Sequence, residues 1–138
     1  MPACTFCEVI AGERPAHFVI DRGPIRAFLD HRPLFPGHTI VVPLEHVEHL
    51  NALPDELELP FWHAVRAVSR AEVAALGADG TFAATNTVVS QSVPHLHAHV
   101  VPRRRKDGLR GFFWPRTKYA SEEEAASVAD LLRDAVIL

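Results

Sequence analysis

The chain has 138 residues, 48% of them hydrophobic, and a formal net charge of -3. That length suits one domain with its own core, so a single domain over residues 1–138 is expected, and the acidic balance argues against a protein that coats nucleic acid. No apolar run approaches the roughly 20 residues of a membrane span, and the first residues lack the charged-then-apolar order of a secretory signal, so a cytoplasmic protein without membrane partners is expected.

Cys4 and Cys7 are the only cysteines and stand as Cys-x-x-Cys. The pair reads as a redox couple, half of a metal site or two ordinary thiols. The βαβ pattern of a thioredoxin-like redox protein is missing, and a structural zinc needs two further ligands. Residues 17–20, 25–29 and 38–42 read as short strands, linked by a turn at 21–24 and a loop at 33–37 that suit antiparallel hairpins. Asp30 closes the second of these strands, where a carboxylate accepts hydrogen bonds from vicinal hydroxyls or simply forms a turn. Phe28, Leu29 and His31 can wall a planar base, although core packing accounts equally well for the first two. His38 follows Pro36-Gly37, a sharp entry into the third strand.

Residues 54–76 carry Leu57, Phe61, Val65 and Val68 at helical spacing, with Asp55 and Glu56 near the amino end and Gly77 as a stop. Trp62 on that helix is core or, if exposed, a contact with a second copy. Residues 81–88 read as a strand leading through 89–92 into the next. There His95, His97 and His99 alternate with Leu96, Ala98 and Val100 between Pro94 and Pro102, the two-residue period of a strand. Alternate side chains on a strand start roughly 6.6 Å apart, so three imidazoles on one face act at successive points along an extended substrate. His17, His49 and His63 read as surface or packing residues. The run Arg103-Arg104-Arg105-Lys106 is a solvated face or raises the local potential for a polyphosphate. Phe112-Phe113-Trp114-Pro115 is an apolar patch suited to closing a pocket or meeting a dimer partner. Ser121 to Glu124 opens, as a capping box, a helix carrying Val128, Leu131, Leu132 and Val136 that is expected to pack on the sheet.

His95-Leu96-His97-Ala98-His99-Val100-Val101 resembles the signature of the histidine triad (HIT) superfamily of nucleotide hydrolases and transferases. Cys4-Thr5-Phe6-Cys7-Glu8-Val9-Ile10-Ala11-Gly12-Glu13, Pro36-Gly37-His38-Thr39-Ile40-Val41-Val42-Pro43 and Gln91-Ser92-Val93 extend the resemblance in family order over residues 4–119. The resemblance implies an α+β HIT-like fold, an antiparallel sheet of about five strands with helices packed on it, assembled as a homodimer. It implies that Asp30 holds a ribose, that His38 sits beside the nucleophile and phosphate, and that Asn86, Gln91 and Ser92 lie near ribose, bridging oxygen and leaving group. It also implies that His46 and His95 join Cys4 and Cys7 around a structural zinc, as in zinc-containing bacterial members, and that no catalytic cofactor is required.

A neutral imidazole nitrogen can attack the α-phosphorus of a nucleotide and form a covalent nucleotidyl-His intermediate, which water then resolves. His97 is the expected nucleophile, its second nitrogen held by a backbone carbonyl near His95, with His99 donating a hydrogen bond as charge develops on the departing group. The expected activity is release of a nucleoside monophosphate, AMP by resemblance, from a dinucleoside polyphosphate or a phosphoramidate. A nucleotidyltransferase or phosphorylase shares the intermediate, and a non-catalytic nucleotide sensor shares the pocket. A catalytic metal held by all three triad imidazoles is disfavoured, because no Asp or Glu falls between Val88 and Lys106. The sequence departs from the family where Thr87-Val88-Val89-Ser90 replaces a glycine-containing loop, a shorter and stiffer link expected to alter which leaving groups fit.

Overall fold

The first hairpin forms where two glycine- and proline-marked residues interrupt an apolar run: β1 (Phe18–Arg22) turns at Gly23-Pro24 into β2 (Ile25–Leu29), with Arg22 opposite Ile25. β3 (Thr39–Pro43) is buried along its whole length and pairs with β2 on one side and β5 (Ala98–Arg103) on the other. β4 (Gly80–Ala84) closes the far edge, giving a five-stranded antiparallel sheet in the order β1-β2-β3-β5-β4. This computed structural model describes residues 3–109 and 116–138. They fall into two compact units, Met1–Asp107 and Gly108–Leu138.

Helix α2 (Asp55–Leu76) lays Leu57, Phe61, Ala64, Val65 and Val68 on one face of the sheet, against Val41, Leu96, Ala98 and Val100. Burying the even-numbered residues of the triad segment under α2 sends His97 and His99 to the opposite face, because successive strand side chains alternate. That opposite face is covered by α1 (Thr5–Ile10), whose Phe6 and Val9 pack with Phe28, Ile40 and Val42. Nothing in the sequence reading placed a helix at residues 5–10. Its amino end is capped by the Cys4 sulfur, which accepts the Cys7 N–H at 3.3 Å, so the residue chosen as a ligand also starts the helix.

The strands differ from expectation at their ends. The first runs on to Arg22, since the turn needs only Gly23 and Pro24, and the third begins at Thr39 rather than His38. The strand expected over residues 81–88 stops at Ala84, because Val88 (φ 67°) and Ser90 (φ 61°) take left-handed conformations that no strand accommodates. The triad strand itself begins only at Ala98, which leaves His95 and His97 in its irregular lead-in.

Gly37 has φ 102°, and a Cβ built there would lie 2.5 Å from Leu76 Cδ1 and 3.3 Å from Pro102 Cγ, so only glycine lets the loop before β3 pass the end of α2. Helix α2 ends at Gly77 (φ 66°), whose N–H returns to the Glu72 carbonyl. The Arg104 guanidinium then donates to the Leu76 and Gly77 carbonyls at 2.7 and 3.0 Å, a cation on the negative end of the helix dipole.

In the second unit, α3 (Glu122–Ala135) opens with the first half of the expected capping box, Ser121 Oγ accepting the Glu124 N–H at 3.1 Å, while the Glu124 carboxylate accepts the Ala120 N–H, one residue before the cap. Val136, expected within that helix, is its C-cap. The patch Phe112-Phe113-Trp114-Pro115 lies outside the described residues. Among the described residues no helix is long and apolar enough to cross a membrane.

Candidate functional site

Two clusters of ligand-type side chains lie on and beside the α1 face. In the first, Cys4 and Cys7 come from the start of α1, His46 from the segment after β3 and His95 from the lead-in to β5. Cys4 Sγ lies 3.4 Å from His95 Nδ1, Cys7 Sγ 3.3 Å from His46 Nδ1, and Cys7 Sγ 3.5 Å from His95 Nδ1. A tetrahedron with zinc–sulfur bonds near 2.3 Å and zinc–nitrogen bonds near 2.05 Å has sulfur-to-nitrogen edges of about 3.5 Å, so the four atoms already outline a zinc-sized cage. The second ring nitrogen of His95 assigns its tautomer: Nε2 donates to the Pro43 carbonyl at 2.9 Å, which leaves the Nδ1 lone pair aimed at the sulfurs. Burial, reinforced by the neighbouring His46 and His97, holds His95 down at about 4, so it is neutral as a ligand must be. Burial and the hydrogen-bonded Cys4 push the Cys7 thiol up to about 11. The residues therefore fit zinc.

In the second cluster, backbone groups again decide which nitrogens carry protons. His97 Nδ1 donates to the His95 carbonyl at 2.7 Å, leaving Nε2 as the nitrogen with the free lone pair. Leu34 N–H donates to His38 Nδ1 at 3.1 Å, so the His38 proton sits on Nε2, 2.9 Å from His99 Nδ1. His99 accepts there and carries its own proton on Nε2. The chain from Leu34 through His38 thus turns His99 into a donor beside the lone pair of His97, and the two rings stand 5.1 Å apart. Asp30 Oδ2 lies 3.6 Å from His38 Nε2. Asp30, His38 and His99 are close enough for a cation, but the His38–His99 hydrogen bond occupies the proton and the lone pair that metal binding would need. All three imidazoles have pKa values lowered mainly by burial, with Asp30 opposing the shift, which keeps them neutral near pH 7.

The remaining predicted contacts divide. Phe28 is buried in the cluster with Phe6, Leu29 stands at the sheet surface, and the His31 side chain is 91% exposed. Asp30 does form the turn weighed as its plain reading, Oδ1 accepting the Arg32 N–H at 2.8 Å, while Oδ2 faces the histidines. Gln91 braces backbone at both ends: Nε2 donates to Glu48 O at 2.6 Å and Val93 O at 3.1 Å, and Oε1 accepts the Val88 N–H at 2.9 Å. Asn86 likewise donates to Ser90 O at 3.2 Å, and Ser92 is exposed. The link after β4 is thus braced by its own polar residues.

Sequence reasoning missed Phe6 as part of this site. Its ring packs edge-on against His97 at 4.9 Å, against Phe28 at 5.5 Å and against His95 at 6.1 Å, so one side chain of α1 touches two of the triad imidazoles and an aromatic of β2. Its place between Cys4 and Cys7 was the available signal. Thr85, whose hydroxyl donates to the His97 carbonyl at 2.7 Å, was missed too, as were the Leu34 amide and the Pro43 carbonyl, since main-chain partners leave no mark in a residue pattern.

Comparison with known proteins places the fold in a family. The HIT domain profile matches residues 11–106. "Protein hit" of Bacillus subtilis is 36% identical over 114 residues, covering 80% of this chain and 78% of that protein. The adenosine 5'-monophosphoramidase hnt1 of Schizosaccharomyces pombe is 28% identical over 123 residues, covering 88% and 90%. Among solved structures, a HIT family protein from Bacillus subtilis superposes with a TM-score of 0.86 at 30% identity over 98% of both chains. A zinc-bound histidine triad protein from Mycobacterium smegmatis gives 0.74 at 32% identity over 96% of this chain and 97% of that one. With its five-stranded sheet, its triad and the profile match over most of its length, the chain belongs to the HIT domain family.

Proposed function

We propose that this protein is a nucleotide phosphohydrolase that releases a nucleoside monophosphate, AMP by preference, from a phosphoramidate or a dinucleoside polyphosphate through a nucleotidyl-His97 intermediate. The observation that carries the reading is the 2.7 Å hydrogen bond from His97 Nδ1 to the His95 carbonyl, which commits the proton to the inner nitrogen and the lone pair to Nε2. In the first step Nε2 forms a bond to the α-phosphorus while the bond to the leaving group breaks, and His99 Nε2–H protonates the departing oxygen or nitrogen. In the second, water attacks the same phosphorus, its proton returns to His99, and the phosphorus–nitrogen bond breaks. Burial helps twice, keeping the rings neutral and strengthening the hydrogen bond to the developing charge. His95 touches neither atom; it is a positioning residue, acting through its carbonyl and its ring.

Asp30 is assigned to the ribose hydroxyls and Phe28 and Leu29 to the base. His38 sets the His99 proton, and Asn86, Gln91 and Ser92 shape the leaving-group side through the loop they brace. Cys4, Cys7, His46 and His95 are assigned as structural zinc ligands; the metal would clamp three chain segments and takes no step in the reaction. The phosphoramidase name of the fission-yeast relative, on a protein aligned over 90% of its length, supports the nitrogen-linked substrate. The edge strand β4 and the exposed Trp62, 42% accessible on the outer side of α2, support a homodimer, and the reading places the protein in the cytoplasm.

Intact-mass spectrometry of protein quenched during turnover of adenosine phosphoramidate tests the mechanism. One added adenylate, mapped to His97, is expected, and His97→Asn should lose the adduct and about a thousandfold or more in kcat while still binding AMP. Turnover that survives in His97→Asn would end this mechanism.

A further inference from the structure

The charge run Arg103-Arg104-Arg105-Lys106 takes no part in the chemistry above, and the fold separates it from the triad. Pro102 faces α2, because Leu96, Ala98 and Val100 alternate onto that face and Pro102 continues them, 3.3 Å from where a Gly37 Cβ would stand. Beside it lies a hollow of about 460 Å³ lined by Phe35, Pro36, Pro102, Arg104, Arg105, Lys106 and Asp107, a size typical of small-molecule sites. No triad residue lines it.

The charges around this hollow are not equivalent. Arg103 pairs with Asp107, Nε to Oδ2 at 2.6 Å and a second nitrogen to Oδ1 at 2.9 Å, and Asp107 Oδ2 also accepts the Arg104 N–H at 3.0 Å. The Arg104 guanidinium is engaged on the last carbonyls of α2. Asp79 Oδ2 accepts the Arg105 N–H at 2.9 Å, so carboxylates hold the backbone of the turn. Among the described residues, the Arg105 and Lys106 side chains have no ion-pair or hydrogen-bond partner. Lys106 moreover holds φ 62°, a conformation costly for a residue with a side chain. Two cations therefore stand on the rim, above a floor of one aromatic ring and two prolines.

We propose that this hollow is a second binding site, for a phosphate monoester carrying a flat ring, of which a nucleoside monophosphate is the simplest case. The ring would lie on Phe35 and the prolines, and the phosphate would meet Arg105 and Lys106. The floor is tied to the triad: the Phe35 carbonyl accepts the His38 N–H at 3.0 Å, and the Leu34 amide holds His38 Nδ1. Occupancy would press on the segment that orients His38, a consequence that rests on the function proposed above, whereas binding itself does not.

Amide NMR titration of the full chain with AMP tests the site. Shifts at Phe35, Arg105, Lys106 and Asp107 are expected, saturating on the order of 1 mM, with adenosine alone or inorganic phosphate alone about tenfold weaker. Arg105→Glu with Lys106→Glu should abolish these shifts and leave those around Asp30 and His99 in place, while His97→Asn should leave them unchanged. Lys106→Gly, which removes the charge and suits the left-handed backbone, should weaken them severalfold and guards against a misfolded double variant. Absence of shifts at Phe35 and Arg105, or their persistence in the charge-reversed protein, would overturn the proposal. Failure of the adenylate adduct at His97 would not.

Discussion

Glu72 extends the buried stripe of Leu57, Phe61, Val65 and Val68 by one more turn, is 4% exposed, and finds no hydrogen-bond partner for either carboxylate oxygen among the described residues. Burial pushes its carboxyl up to about 8 from the ordinary 4.5. An unfolded chain sheds this proton near the ordinary value, so between there and about 8 the folded state holds one proton more and stability falls as pH rises. The melting temperature of the wild type should therefore drop from about pH 5 to 8, by a penalty of a few kcal/mol, and the drop should be much smaller in Glu72→Gln. Parallel curves for the two proteins would show that Glu72 is solvated in solution. The helical spacing of Leu57, Phe61, Val65 and Val68 brings Glu72 next on the same face, and propensity alone gives no reason to bury the acid; only the stripe continuing through it does. The same limit governed the site: His97, His99, Cys4 and Cys7 were legible because side-chain chemistry recurs at a fixed spacing, and the carbonyl at His95 was expected from the chemistry of the nucleophile, whereas the Leu34 amide and the Pro43 carbonyl that fix the His38 and His95 protons were not.

Among the elements, α2, β2 and β3 were read within a residue or two, because long stripes and unbroken apolar runs carry period and burial together. Short pieces were read less well. The six residues of α1 are too few to show a period, and its cap is a cysteine rather than a serine or aspartate. The strand expected to pass Ala84 was a misjudgement of β-branched residues: Val88 and Val89 favour strands, but Gln91 and Asn86 hold a turn there that outweighs propensity. Gly37 is the element-level position least open to change. Gly37→Ala combines a left-handed backbone costing roughly 1–2 kcal/mol with displacement of Leu76, so a loss of about 2–4 kcal/mol is expected. Urea unfolding checks it: the midpoint should fall with an unchanged slope. A loss under about 0.5 kcal/mol would mean the loop shifts freely past α2.

For the whole molecule, the ligand cluster joins parts of the chain that are far apart in sequence, with Cys4 and His95 separated by 91 residues and Cys7 and His46 by 39. A zinc there crosslinks the amino-terminal helix, the segment after β3 and the lead-in to the triad, so binding energy becomes folding energy. Chelation should lower the melting temperature by about 5 °C or more, and one equivalent of zinc should restore it. Cys7→Ser should show a low melting temperature that zinc does not raise. An unchanged melting curve on full removal, with metal content checked, would leave the four side chains as packing only.

The partner that orients His97 is a peptide oxygen, a group that every amino acid supplies. No replacement at position 95 deletes it, so mutation can only misplace it by shifting the chain. Side-chain variants at that position should consequently impair turnover gradually, in step with how far they let the peptide wander, while exchange at position 97 acts all at once. Selection has something to hold in the ring of His95 and nothing to edit in its carbonyl, which makes this orientation among the hardest features of the protein to lose by a single codon change.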